Sequence, residues 1–342
     1  MSTLAGGVFP SAPDDLTELR NLVDDIGSRS FDARIGTRSL PDPFDATAWG
    51  HLEDAGLTRL TSIAESGGGP AELAVVLRGL ARHAVSVPVA ENDVLAGWLA
   101  GEAGLEVPDS GAVSIATTLD AVPYATDAAA VVLAIPAGDR LRVAVRTPAE
   151  LSISRGHNAG GEPRDAVLAD LPEDSWTAVN AGAELLRRGA WARCVQVIGA
   201  LDAAVEYSVA HTQEREQFGR PLSSFQVVQH TLASMAGEVE RARAVTNLAV
   251  AAAADHGFDS AATDYAVTVA KVTLGRVVPS VVTAAHQLHG AIGVTVEHRL
   301  WLATMRARSW IGEFGDTAWH ACRLGRLALD SDPWDVIAGE RQ

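Results

Sequence analysis

Between Ala181 and Val209 runs an apolar stripe, Leu186, Ala190, Cys194, Ile198, Leu201, Val205 and Val209, spaced at three or four residues. Strand side chains alternate every second residue, so this spacing fits only a long helix with one face buried. Helical patterns return from about Ser224 to Asp255, Ser260 to Leu288 and Glu297 to Leu329, joined by short connections. Four such helices predict an up-and-down bundle over 175–342. Abundant alanine and only 5% aromatic residues favour close helix packing. Pro279 predicts a kink in the third bundle helix.

Upstream, residues 1–106 read as helices with short breaks. Asp14 stands at an N-cap position before Leu16, Leu19, Leu22 and Val23, and Asp45 at another before Trp49 and Leu52, with a stop near Gly56. The break Gly67-Gly68-Gly69-Pro70 precedes Leu73, Val76, Leu77, Leu80 and Ala81, and a fourth helix is predicted from about Val89 to Ala103. Residues 107–174 change character. The runs from Val113, Ala129 and Leu141 are β-branched and bounded by Pro, Gly and Asp, so they read as strands. A hairpin turn is expected at Pro136–Asp139 and an exposed loop at Gly156–Gly161. The class is therefore α+β, mostly α: an N-terminal helical domain, a short β domain and a C-terminal four-helix bundle.

A net charge of −16 over 342 residues argues against nucleic-acid binding, which needs a basic face. Cys194 and Cys322 have no metal-ligand spacing and read as small buried apolar groups. No signal-like start and no run near eighteen apolar residues is present, so a soluble cytoplasmic protein with no membrane contact is expected.

Chemistry concentrates at the helix junctions. Arg215-Glu216-Gln217-Phe218-Gly219-Arg220-Pro221 joins the first bundle helix to the second, and Phe225-Gln226 opens the second. At the end of the third lies Gln287-Leu288-His289-Gly290-Ala291-Ile292-Gly293. Arg215 alone would read as a surface salt bridge. In order and at this spacing, the two strings resemble the flavin-contacting signatures of acyl-CoA dehydrogenases, the second usually Gln-x-x-Gly-Gly-x-Gly. The resemblance is sharp over Ala181–Leu329 and architectural before it. It implies FAD held between subunits, with Arg215 on the pyrophosphate, and Gln217, Phe218, Gln226, Gln287, Gly290, Gly293 and Thr317 as further cofactor positions. A guanidinium suits phosphate as a permanent charge with a rigid donor fork. The histidines His286 and His289 read as structural or interface groups.

The resemblance also implies a carboxylate base for α-proton removal from an acyl thioester. Its usual position falls on Gly315, beside Phe314, Asp316 and Thr317, and the alternative family position falls on Gly189. Both are empty. Glu313 and Asp316 are weak candidates, Asp316 reading chiefly as a helix cap, and Glu184 and Glu297 read as ion-pair or capping acids. The family's Thr-Glu-Pro loop is missing from the short β segment. Such a chain resembles the shortened subunit of actinobacterial heterotetrameric dehydrogenases acting on steroid side-chain CoA thioesters. The partners this implies are a longer subunit in an α2β2 complex, an acyl-CoA substrate and an electron-transfer flavoprotein. Alternatives are a self-sufficient homodimer using Asp316 or Glu313, a tailoring enzyme on a carrier-protein thioester, and a non-catalytic scaffold.

Overall fold

The computed structural model describes residues 16–34, 40–63, 66–295 and 298–329. The caps expected at Asp14 and Glu297 lie outside them. Helices α1 (Thr17–Arg34), α2 (Ala46–Asp54) and α3 (Pro70–Arg82) open the described chain. Asp45 caps α2 by accepting from Ala48 N at 2.9 Å. Pro70 starts α3, while Glu72 reaches back to Gly69 N at 2.8 Å. The core face of α3 is Leu73, Val76, Leu77, Leu80 and Ala81, as its period predicts.

The fourth helix begins as a π-helical turn, Glu91–Gly97, before α4 (Trp98–Glu102). The wider turn swings Glu91, Asn92 and Asp93 inward, where all three are buried. Asn92 donates to Thr58 O and accepts from Val113 N, and Asp93 accepts from the backbone N–H groups of Leu60, Thr61 and Ser62. These side chains tie the helical layer to the first strand.

Strands β1 (Val113–Ala116), β2 (Val122–Pro123), β3 (Ala130–Ala137), β4 (Arg140–Arg146), β5 (Ser152–Ser154), β6 (Arg164–Leu168) and β7 (Thr177–Val179) form two sheets, ordered β1-β3-β4-β7 and β2-β6-β5. β1 and β3 run parallel and the other pairs antiparallel. β7 extends the strand region past residue 174 because Thr177–Val179 finishes the ladder on β4. The 156–161 segment departs from expectation: it is not wholly exposed. Gly160 and Gly161 are buried, and a Cβ at Gly160 would sit 2.9 Å from Arg306 Cα.

The bundle comprises α5 (Gly182–Glu214), α6 (Gln226–His256), α7 (Ala261–His289), α8 (Arg299–Gly312) and α9 (Thr317–Leu329), with a hairpin of β8 (Glu216–Gln217) and β9 (Arg220–Pro221) after α5. α7 continues through Pro279 as one helix. The helical stretch Ala261–Val294 is apolar and long enough to cross a membrane by composition, but 61% of its most apolar 18 residues is buried inside the fold, as a core helix requires. The expected fourth helix is two helices, because Phe314 (φ 54) and Gly315 (φ 90) take left-handed conformations that end α8. Cys194 is buried, whereas Cys322 is exposed, on the outer face of α9.

Candidate functional site

Two regions bear on chemistry: an exposed face at the end of α5 and α7, and an internal cleft at the start of α5.

On the exposed face, Arg215 is the C-cap of α5. Its N–H donates to His211 O and its carbonyl accepts from Leu222 N, both at 2.9 Å. The backbone is thus fixed while the guanidinium stands exposed, with no ion pair among the described residues. Gln217 pairs with Arg220 in the hairpin, and Phe218 (φ 55) and Gly219 (φ 76) form its mirror-image turn. Phenylalanine in that conformation costs about 1–2 kcal/mol, and here the ring is 90% exposed. The ring approaches Phe225 edge-on at 6.1 Å, and Arg220 stacks on Phe225 at 4.1 Å. Gln226 is exposed at the first turn of α6.

His211, one turn before Arg215, stacks on His289 with centroids 4.5 Å apart and planes at 19°. His289 lies two residues beyond Gln287, so this stack sets the two motifs side by side. His289 Nδ1 donates to Ala285 O at 2.8 Å, and burial, outweighing that bond, pulls the imidazole down to about 4. Gln287 is exposed, and Gly290 (φ 67) faces open space, which suits close approach of a ligand to the backbone. Gly293 does not serve that purpose. It is buried, and a Cβ there would meet His289 Cβ at 2.8 Å and Leu300 at 3.1 Å, so it exists for packing. Thr317 is also apart from the others: it heads α9 and presses on Gly275 of α7. Gly275 lies roughly 18 Å along the helix from Gln287 at about 1.5 Å per residue.

The cleft, about 520 Å3, lies between the π-helical turn, the β1-β3-β4 sheet face and the first turns of α5. Leu95, Ile115, Leu141 and Leu185 make its apolar walls. Its floor is ionic. Glu313 accepts from Arg164 at 2.9 Å and from Arg193 Nε at 2.7 Å, and Arg193 also donates to Glu91 and Gln196, each at 2.6 Å. Glu162 accepts from Trp310 Nε1 at 2.7 Å and from Asn158 at 2.8 Å. Burial alone would raise the Glu313 carboxyl, but the two guanidiniums and their hydrogen bonds hold it at about 2. Such a carboxylate is a poor proton acceptor near neutral pH. Asp316 is occupied otherwise, capping α9 through Trp319 N at 2.7 Å. Neither weak base candidate is poised as a base.

The two vacant positions are filled in different ways. The Phe314 ring lies directly on Gly189, so that even a Cβ there would overlap it. A Cβ on Gly315 would point to His320 Nε2 at 2.8 Å and Trp319 at 2.9 Å, toward the start of α9. Glu184 pairs with Arg188 at 2.8 Å, as expected of a bundle acid. Sequence reasoning missed Arg164, Arg193, Glu91, Glu162 and Lys271. The available signal was Arg193, a charge inside the otherwise apolar run Trp191–Val195, where a buried charge requires a partner.

The exposed face fits the nucleotide end of a flavin dinucleotide: a free-standing guanidinium, exposed amides and an open left-handed glycine. Of the carboxylates that line the cleft, Glu91 and Glu313 are paired with arginines, and Asp120 stands exposed at its edge.

Residues 179–320 match the family model described as acyl-CoA dehydrogenase, C-terminal domain. The chain is 31% identical over 140 residues to "Acyl-CoA dehydrogenase IpdE2" of Mycolicibacterium smegmatis, a stretch covering 41% of this chain and 42% of that protein. It thus spans under half the length of that curated relative. Among solved structures it is similar to a Tcur3481–Tcur3483 steroid ACAD variant, with TM-score 0.76, 25% identity and coverage of 94% of this chain and 99% of that one. The ChsE4–ChsE5 complex of Mycobacterium tuberculosis has the same fold, with TM-score 0.76 and 18% identity over 94% of this chain and 99% of that one.

Proposed function

We propose, from the match of residues 179–320 to the acyl-CoA dehydrogenase C-terminal domain, that this chain belongs to that FAD-dependent family as the subunit of a heteromeric dehydrogenase that lacks the catalytic base. It lends its exposed face to an FAD whose ring and catalytic carboxylate lie with a longer relative. One observation carries this reading: a solvent-open nucleotide face stands on the same chain as a cleft whose base positions, Gly189 and Gly315, are filled by an aromatic ring and turned aside.

In this reading Arg215 meets the pyrophosphate with a charge-assisted fork. Gln217, Phe218, Gln226, Gln287 and Gly290 line the rest of the nucleotide, and the His211–His289 stack keeps both signatures in register. The left-handed, exposed Phe218 supports a contact made outside the chain, since strained backbone persists where a partner or ligand uses it. Bound flavin supplies the hydride acceptor for α,β-dehydrogenation, and this chain supplies orientation, not proton transfer. The substrate is a CoA thioester with a bulky acyl group of the steroid side-chain kind, in keeping with the steroid ACAD neighbour. An electron-transfer flavoprotein takes the electrons onward.

Flavin absorbance of the chain alone, the longer relative alone and the co-purified pair tests the proposal. One FAD per heterodimer with little on this chain alone is expected. Stoichiometric FAD on the isolated chain, or a colourless active complex, overturns it.

A further inference from the structure

We infer that His211 is a second anion-recognising group of the nucleotide face, taking up a proton when phosphate settles against Arg215, so that flavin is held more tightly as pH falls through the imidazole range. This rests on the half-site reading, which supplies the phosphate.

His211 and Arg215 are four residues apart at the end of α5, so their side chains share one face across its last turn. The His211 ring is half-buried, and neither of its nitrogens has a hydrogen-bond partner among the described residues. Its flat side is occupied instead, stacked on His289, which lies between Gln287 and Gly290 in the chain. His211 thus stands where the two cofactor strings meet, with its polar edge unspent.

The charges that act on this ring on α5 are Arg215, which opposes a proton, and Glu214, which favours one. From α7 comes His289, and at the start of α8 His298 meets His289 edge-on at 5.1 Å. His286 also faces His289, and is itself bonded to Thr304 Oγ1 at 2.8 Å and set near Arg308. In the hairpin, Arg220 is turned onto Phe225. Burial keeps His289 neutral down to about 4, so His211 is the ring of the stacked pair that charges near neutral pH.

Burial and the neighbouring Arg215 charge together hold His211 below its ordinary 6.5. A phosphate on Arg215 offsets the second of these and adds a negative partner, which raises the ring's proton affinity. Linkage is reciprocal: a proton that binds better with flavin present makes flavin bind better with the proton present. The gain is complete below the unliganded pKa of the ring and absent above its liganded one. The pyrophosphate of FAD keeps its charge over this range, so the change belongs to the protein.

Flavin dissociation constants of the co-purified complex, stripped and reloaded with FAD at pH 8 and pH 6, test the inference. The native complex should bind about threefold to tenfold more tightly at pH 6, tenfold corresponding to one unit of pKa. H211Q and H211K, uncharged and charged at both values, should each show no such gain, with H211K the tighter of the two at pH 8. A gain in H211Q equal to the native one overturns the inference. Calorimetry needs no variant: FAD binding to the native complex at pH 6.5, in two buffers of different ionisation enthalpy, should show net proton uptake, and no uptake refutes the role of His211. Stoichiometric FAD held equally at both pH values defeats this inference alone, whereas a complex that takes up no FAD at either pH defeats the half-site reading and this inference with it.

Discussion

Glu313→Gln leaves Arg164 and Arg193 buried against one carboxylate fewer, and breaking such a pair costs about 3–5 kcal/mol. Urea denaturation at neutral pH should show that loss, with flavin and turnover retained in a folded complex. The sign with pH follows from the cause. The Glu313 carboxyl falls from its ordinary 4.5 to about 2 in the fold, so its stabilisation is complete above 4.5 and is lost as pH falls toward 2. The gap between native and E313Q chains should narrow over that interval; a constant gap would mean that the clamp is not ionic. Gly315→Glu is expected to give no dehydrogenation, because its side chain would point at Trp319 and His320. It should also lower stability by about 1–2 kcal/mol, since φ is 90. Arg215→Ala should weaken FAD retention in the complex roughly tenfold to a hundredfold, for a lost charge-assisted contact of about 1.5–3 kcal/mol, measured by flavin release on dilution.

At the level of elements, the break between α8 and α9 depends on long-range partners. Lys271→Met should leave the carbonyls of Ile311 and Glu313 without their donor, and amide exchange over 311–316 should accelerate while the middle of α7 stays protected. Unchanged exchange there would show that the backbone conformations alone hold the break. This explains why the break escaped a reading of periodicity: Arg164 and Glu313 are 149 residues apart in sequence, and Lys271 and Glu313 are 42 apart. The apolar stripe of α5 and the core face of α3 were legible because each burial pattern repeats locally. The polar triplet Glu91-Asn92-Asp93 was not, since Glu91 is compensated by the distant Arg193, and Asn92 and Asp93 by backbone groups at Thr58–Ser62 and Val113. At the site, each motif could be read from its own residues. Their adjacency could not, because it is made by two imidazoles meeting across helices.

For the whole molecule, buried histidines set the response to acid. Burial holds both His289 and His320 at about 4, below an ordinary 6.5, against hydrogen bonds that favour the charged rings. The unfolded chain therefore binds protons that the fold refuses, and stability should fall as pH drops from about 6.5 toward 4. Urea midpoints at pH 7 and 5 for the native chain and H289Q/H320Q test this; equal slopes would assign the acid sensitivity elsewhere. The junction of α3 with α5 has a consequence in time. A Cβ on Gly199 would overlap Arg78 O, and Arg78 Nε meets Asp202 at 2.7 Å across 124 residues of sequence. At ribosomal speeds of about 5–20 residues per second, roughly 6–25 s pass between the emergence of those two side chains. Throughout that interval α3 has α1 beside it but lacks α5, so a nascent chain stalled before Gly182 should be cut readily by protease where the completed protein resists.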